Sequence, residues 1–341
     1  MGRYPFSSSR RRRRRSRKWV YVISVLLIII AVKAFIRGSN PAATFGNEDE
    51  FRVSIPGAQA ENSAVLSAPI PIPEPNLRKI PIPTSESTPE SAAFVNEVMT
   101  YINTRPPRII DARNKLNEIL SMPMTGQQLA FVKEQLSKLS EKWLFSRTIF
   151  PQDKICSHYK VEPGDQFRTI GRKFKVPYEI LMQINNISNP RALRAGETIK
   201  VINGPFHCRI YRSTFTMDLY LQDTFVRSFS VGLGKPGMET PTGRWVVKSG
   251  GKLISPTWTD PITGRTYEAE DPEHPLGSRW IGLEGIEGAA KDRTGFAIHG
   301  TRNPEEIATA GSRGCIRLYN NDAILVYDLL MPGLSQVMVV E

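Results

Sequence analysis

The chain has 341 residues, 40% hydrophobic and 23% charged, which excludes a wholly disordered chain and a polytopic membrane protein. At roughly 100–200 residues per domain, this length allows two or three folded units. The net charge of +12 is local: residues 1–18 hold nine basic side chains (Arg3, Arg10 to Arg15, Arg17, Lys18) and no acid, while residues 38–341 carry 34 basic against 33 acidic groups. No folded basic surface accompanies the arginine run, so nucleic acid is not an expected partner.

Residues 19–36 read WVYVISVLLIIIAVKAFI with one charge, Lys33, near the far end. A run of about 18–20 apolar residues spans a bilayer core, so the pattern predicts a transmembrane helix, with Trp19, Tyr21 and Lys33 at the two interfaces. The arginines then form a basic cytoplasmic tail (1–18). The expected location is the cell membrane, single-pass, with everything after residue 37 on the periplasmic or extracytoplasmic side. A cleaved signal peptide is the competing reading; the apolar run is long for one, and Pro41-Ala42-Ala43 supplies the only cleavage-like segment. Residues 37–90, with PIPIP at 69–73 and PIP at 81–83, read as a disordered Pro-rich linker, because such a composition cannot bury enough apolar surface to offset chain entropy.

Residues 91–150 form a helical unit by pattern. Phe94, Val98 and Ile102 fall at helical spacing, as do Ile109, Leu116 and Leu120, then Leu129, Leu136, Leu139 and Trp143. Thr125-Gly-Gln-Gln128 is a capping-box start, and Pro106-Pro107 separates the first helix from the second. No cluster of catalytic residue types occurs there, which leaves packing or partner contact as its role.

Residues 156–203 predict a short strand at Tyr159 and Val161, a Pro-Gly-Asp turn, two short helices burying Phe167, Ile170, Phe174, Ile180, Leu181 and Ile184, and a closing strand at Ile199 to Ile202. Asp165 stands where it can cap the first helix. This βααβ pattern resembles the LysM domain, matching at Tyr159, Val161, Gly164, Asp165, Ile170, Phe174, Val176, Leu181, Asn185, Leu193, Gly196 and Ile199, with Phe167 where Leu and Gly171 where Ala are usual. The resemblance implies binding of N-acetylglucosamine-containing glycans, with Gly164, Asp165, Gln166 and Asn189 as candidate contacts; each of the turn residues also has an ordinary turn or capping role.

Residues 205–341 read mainly as short strands, with a hairpin over Leu219 to Phe229 turning at Gln222-Asp223, a helix at 320–330 and a long irregular stretch at 250–295. Two segments carry chemistry: Ile298-His299-Gly300-Thr301, and Ser312-Arg313-Gly314-Cys315-Ile316-Arg317-Leu318. Only a thiolate attacks, so a cysteine needs a base or a nearby cation; His299 can act as the base, and Arg313 and Arg317 can steady the thiolate and an anionic substrate. Glycine at 314 lets a carbonyl approach, and backbone N–H groups around Cys315 can cradle an oxyanion. The H-G-T…S-x-G-C-I-R pattern resembles the L,D-transpeptidase (YkuD-type) signature, as do V-G-L-G at 231–234, T-P-T-G at 240–243 and H-P-L-G-S-R-W at 274–280. The resemblance implies Cys315 as nucleophile and His299 as general base, and with Gly300 following it a backbone carbonyl is expected to orient the imidazole. Gly314 is expected in the oxyanion region, and Ser312, Arg313, Arg317 and Trp280 are expected at the substrate. Arg313 replaces the histidine common in the family, a departure that leaves the principal base in place. Trp258 and Trp280 serve equally as a lid over the site or as core residues.

No metal-ligand set is visible, since the four histidines are scattered, and no cofactor is implied. Cys156 and Cys208 bracket the βααβ unit and are expected to form a disulfide, worth ~4 kcal/mol on the chain-entropy model, with two reduced buried thiols as the alternative. The expected fold class is multidomain: an N-terminal transmembrane helix, a small α-helical unit, a βααβ LysM domain and a mainly-β L,D-transpeptidase catalytic domain. The expected partner is peptidoglycan, glycan strand and stem peptides, with the membrane through the N-terminal helix. Hydrolysis by the same thiol (an L,D-carboxypeptidase) and a non-catalytic wall anchor remain alternatives.

Overall fold

The computed structural model describes residues 74–86, 88–260 and 262–341, which all fall within one unit, Pro71–Glu341. The expected fold class is corrected here: among the described residues no helix is long and apolar enough to cross a membrane. The basic tail (1–18) and the apolar run (19–36) lie outside the described residues, as does the first part of the linker.

The linker expected to reach residue 90 ends earlier. Leu77 is buried, and the Thr84 N–H donates to the Met124 carbonyl at 2.9 Å, so residues 74–86 lie against the folded chain. Pro89 opens helix α1 (Pro89–Asn103) rather than extending the spacer, because a proline in the first turn removes only an N–H that would be unpaired anyway. The Thr88 hydroxyl caps this helix by accepting from Ser91 N–H at 3.1 Å. Helix α2 (Ile109–Ile119) and helix α3 (Gly126–Trp143) follow, and the capping box at Thr125 and Gln128 starts the third. Val98, Ile110, Leu116, Val132, Leu136 and Trp143 meet in its core.

This helical unit packs on the β-domain. Strand β5 (Thr224–Ser230) is the edge of an eight-stranded sheet, and Asn117 Oδ1 accepts the outward N–H of Phe225 at 2.8 Å. Lys133 Nζ reaches Asp218 Oδ2 at 2.7 Å, and the Asp218 side chain is fully buried. Removing one partner of such a pair strands a buried charge. Lys133→Ala is therefore expected to destabilise the chain by about 2–3 kcal/mol, with much of the loss recovered in Lys133→Ala/Asp218→Asn. Urea unfolding reads this directly, and a change below about 0.5 kcal/mol for the single variant would assign the docking to apolar contact alone.

The βααβ unit consists of β1 (Cys156–Lys160), α4 (Phe167–Lys173), α5 (Tyr178–Ile184) and β2 (Thr198–Ile202), with the strands antiparallel and Cys156 opposite Ile202. Phe167, Ile170, Ile180, Leu181 and Ile184 are buried, as the periodicity predicts, while Phe174 is only partly buried and packs edge-on against Tyr159. Asp165 does not cap the helix. Its Oδ2 accepts from Tyr159 OH at 2.7 Å and Glu162 N–H at 2.9 Å, bonds that hold its carboxyl below the usual range, and Gln166 takes the N-cap position with Thr169. Lys200, wholly buried, donates to the carbonyls of Trp143, Ser146 and Thr148 at 2.6, 2.8 and 2.8 Å, and so closes the C-terminal end of α3 onto this unit.

The remaining chain builds the large sheet. Its strands are β3 (Phe206–Tyr211), β4 (Thr216–Leu221), β5, β7 (Gly243–Ile254), β10 (Arg279–Glu287), β11 (Phe296–His299), β13 (Ile316–Arg317) and β14 (Gln336–Val340), in the order β13-β11-β10-β7-β14-β3-β4-β5. The pairs β11/β13 and β14/β3 are parallel, and the rest are antiparallel. Two-stranded ladders β6 (Leu233–Gly234) with β12 (Ala310–Ser312), and β8 (Trp258–Thr259) with β9 (Thr266–Tyr267), lie outside it. Helix α6 (Asn320–Leu329) follows β13. The stretch 250–295 is irregular as expected over most of 255–278, apart from the short β8/β9 ladder, but its two ends belong to β7 and β10. Gly282 and Gly285 conceal the alternation of β10, and a Cβ at Gly285 has no room beside the Ala290 carbonyl.

The disulfide expected between Cys156 and Cys208 is not formed; both are free, buried thiols. Cys156 belongs to the β1/β2 ladder, whereas Cys208 lies between Leu219 and Val337 in the large sheet. The Gly204-Pro205 step moves the chain from one sheet to the other before Cys208 is reached. Burial raises both thiol pKa values, that of Cys156 to about 12.

Candidate active site

Parallel pairing of β11 with β13 sets Ile298 opposite Ile316 and His299 opposite Arg317. Side chains alternate along a strand, so Ala297 and His299 share a face with Cys315 and Arg317. On the other side His299 is in register with Trp280 of β10, and the two rings stack at 5.7 Å with planes 14° apart.

The turn carrying Cys315 is fixed by two buried hydroxyls. Ser312 Oγ accepts from Gly314 N–H at 3.0 Å and donates to the Cys315 carbonyl at 2.7 Å. Thr240 Oγ1, from the T-P-T-G segment, donates to the Gly314 carbonyl at 2.9 Å and accepts from Gly234 N–H at 3.2 Å. Gly314 has φ +109°, and a Cβ there would stand 2.6 Å from the Phe296 ring. Both the left-handed backbone and the close ring require glycine.

His299 is 3% exposed, and its Nδ1–H donates to the Gly300 carbonyl at 2.6 Å. This tautomer leaves Nε2 with a free lone pair. Burial lowers its pKa to about 4, helped by the Arg317 charge and opposed by the carbonyls of Gly300 and Leu276. Burial also raises the Cys315 thiol pKa, against smaller lowering by the Ala297 N–H and Arg317. At neutral pH the pair is therefore a thiol beside a neutral imidazole. The thiol makes a long contact to the Gly295 carbonyl, 3.9 Å, rather than a hydrogen bond to His299.

Both side chains line one cavity of about 520 Å³, walled by Trp258, Tyr267, Pro275, Leu276 and Trp280 and by the polar residues Lys235, Asp260, Arg313 and Arg317. The other residues expected at the substrate divide. Trp280 faces the cavity. Ser312 is 1% exposed and spends its hydroxyl on the turn, and the Gly314 N–H is already taken by Ser312. Arg313 pairs with Asp260 at 2.9 Å, and Arg317 with Glu306 at 2.8 Å. Asp260, Lys235 and Thr240 escaped the sequence reading. Asp260 is 53 residues from its partner, a separation no local pattern bridges; Thr240 had a signal in T-P-T-G, which was read only as part of a motif.

The βααβ unit carries a second cleft of about 430 Å³, lined by Asp165, Gln166, Phe167, Arg168, Tyr178, Pro190, Arg191 and Leu193. Its lining comes from residues 165–168 at the start of α4, from Tyr178 at the start of α5, and from the 190–193 segment before β2. Asp165 and Gln166 line it, but Gly164 and Asn189 do not: Gly164 makes the turn at φ +90°, and Asn189 Oδ1 accepts from Arg191 N–H at 2.9 Å.

Residues 206–339 match the family model of the L,D-transpeptidase catalytic domain, and residues 159–201 match that of the LysM domain. The chain carries a LysM domain followed by a YkuD-type L,D-transpeptidase catalytic domain. It is 27% identical over 182 residues to a Bacillus licheniformis protein named as an L,D-transpeptidase, YkuD, covering 51% of this chain and 94% of that protein. Among solved structures, an L,D-transpeptidase from Mycobacterium tuberculosis aligns with TM-score 0.32 at 18% identity, over 43% of this chain and 63% of that one. The catalytic domain of the E. faecium L,D-transpeptidase aligns with TM-score 0.30 at 22% identity, over 39% of this chain and 95% of that one. This chain thus spans under two thirds of the mycobacterial chain.

Proposed function

We propose that the chain is a peptidoglycan L,D-transpeptidase acting outside the cytoplasm, with the LysM cleft holding an N-acetylglucosamine-containing glycan strand. The observation that carries this reading is the buried His299, oriented through Nδ1 by the Gly300 carbonyl, in the same cavity as Cys315.

In this mechanism Nε2 of His299 takes the Cys315 proton as Sγ attacks the L-centred carbonyl of the third residue of a tetrapeptide stem. With the Gly314 N–H engaged, the N–H of Cys315 itself is the backbone donor beside the developing oxyanion. The imidazolium returns its proton to the departing nitrogen, D-alanine leaves, and a thioester remains on Cys315. An amine on a neighbouring stem then loses its proton to His299 and attacks the thioester, giving a 3→3 cross-link and regenerating the thiol. The aromatic walls, Trp258, Tyr267 and Trp280, disfavour capture of the thioester by water.

Mass spectrometry of the full chain incubated with disaccharide-tetrapeptide muropeptides tests this. Dimers formed with loss of D-alanine support transfer. Tripeptide monomers alone would make the protein an L,D-carboxypeptidase, and unchanged substrate would overturn the catalytic reading.

A further inference from the structure

The charges around Cys315 are unevenly satisfied. Three cations line the cavity, Lys235, Arg313 and Arg317, against one acid, Asp260. Arg313 is held by Asp260 and Arg317 by Glu306. Lys235 alone has no ion pair or side-chain hydrogen bond among the described residues. The acid nearest in its own loop, Glu239, is turned away; its Oε1 accepts from Gly237 N–H at 2.9 Å, and it lines a separate cleft with Arg212.

The backbone at Lys235 is nonetheless fixed to the nucleophile's segment. Its N–H donates to the Ser312 carbonyl at 2.9 Å, its carbonyl accepts from Met238 N–H at 2.9 Å, and β6 just before it pairs with β12. Gly234 has no room for a Cβ against the Met238–Thr240 backbone, which confines this loop further. An ammonium on a flexible four-carbon stem is thereby anchored at its root beside the reacting thiol, with its charge unspent.

We infer that Lys235 reads the terminal carboxylate of the donor peptide, the group carried by the leaving D-amino acid. This rests on the transpeptidase reading and names the residue that selects its donor. The apolar walls offer no charge of their own, Arg313 is bonded to Asp260, and Arg317 is paired through Nη1 with Glu306, its Nη1 and Nε both being buried. A charge pair at an exposed position is worth up to about fivefold in affinity.

Equilibrium binding to the full chain bearing Cys315→Ala isolates this step from turnover. The probes are a tetrapeptide stem with a free C-terminal carboxylate and the same peptide as its C-terminal amide. The carboxylate form is expected to bind up to about fivefold more tightly, the preference to vanish in Lys235→Ala, and Lys235→Arg to restore it. Lys235 is exposed and its substitution leaves every described bond of the turn intact, so a folding defect would not produce this change of ratio. Equal binding of the two peptides by the Lys235 protein, a preference that survives Lys235→Ala, or no binding of either peptide would overturn the inference. Failure of the reaction itself would show separately, as unchanged muropeptides with the chain that retains Cys315.

Discussion

Replacing Cys315 with alanine is expected to abolish dimer formation and D-alanine release, a loss of about 10⁴-fold or more, because Cys315 carries the cavity's one thiol among the described residues and the neighbouring Ser312 hydroxyl is spent on the turn. The expected loss is in the rate, with stem-peptide affinity largely retained, since the walls and Lys235 are untouched. Thiol counting gives an independent reading. Cys156 and Cys208 are buried at 1% and 0% exposure, whereas Cys315 is half-buried at the cavity wall. The native chain should therefore take up one equivalent of iodoacetamide and the Cys315→Ala chain none. Turnover persisting in that variant would move the chemistry away from this cavity altogether.

The elements that were legible in the sequence are those whose information is local. The capping box at Thr125 and Gln128, the turn at Gln222-Asp223 and the helix beginning at Asn320 each follow from a handful of adjacent residues. The βααβ unit was legible for the same reason, since its whole core falls within one short segment. What escaped is set by contacts between distant segments. Strand β10 is hidden by glycines whose purpose is close backbone approach, and the Asp260–Arg313 pair by its separation in sequence. The proline-rich end of the spacer read as unfolded because its burial partners lie elsewhere; Leu77 is buried, and Thr84 bridges Thr125. The disulfide expected from the way Cys156 and Cys208 bracket the βααβ unit fails because the chain changes sheets between them.

The position of Arg313 shows how a departure from a family pattern is absorbed. A family histidine at this place would sit two residues before the nucleophile, where a second imidazole invites a share in the proton transfers. The guanidinium here is bound to Asp260, on the turn between β8 and β9, so it ties the nucleophile's turn to the aromatic wall of the cavity. In the proposed mechanism that geometry leaves His299 as the residue through which the proton moves, and makes the state of its ring decisive.

His299→Ala is expected to lower kcat by about 10²–10⁴-fold with little change in KM, because the imidazole moves a proton and its loss leaves the peptide-binding walls intact. The pH dependence carries more information. An imidazole pKa lowered to about 4 by burial stays neutral across the physiological range, and a thiol raised above its ordinary value stays protonated. The competent resting state is then the neutral pair, which persists as pH falls from 7 toward 5 and is lost only as His299 takes a proton near pH 4. kcat/KM should accordingly hold through mildly acidic pH and fall below about 5. Alkylation of Cys315 should rise steadily with pH through neutrality, since each added unit increases the thiolate fraction about tenfold below the thiol pKa. A stored thiolate–imidazolium pair would instead give an alkylation rate already on a plateau at pH 6, and that plateau, removed by His299→Ala, would replace general-base activation with a preformed ion pair.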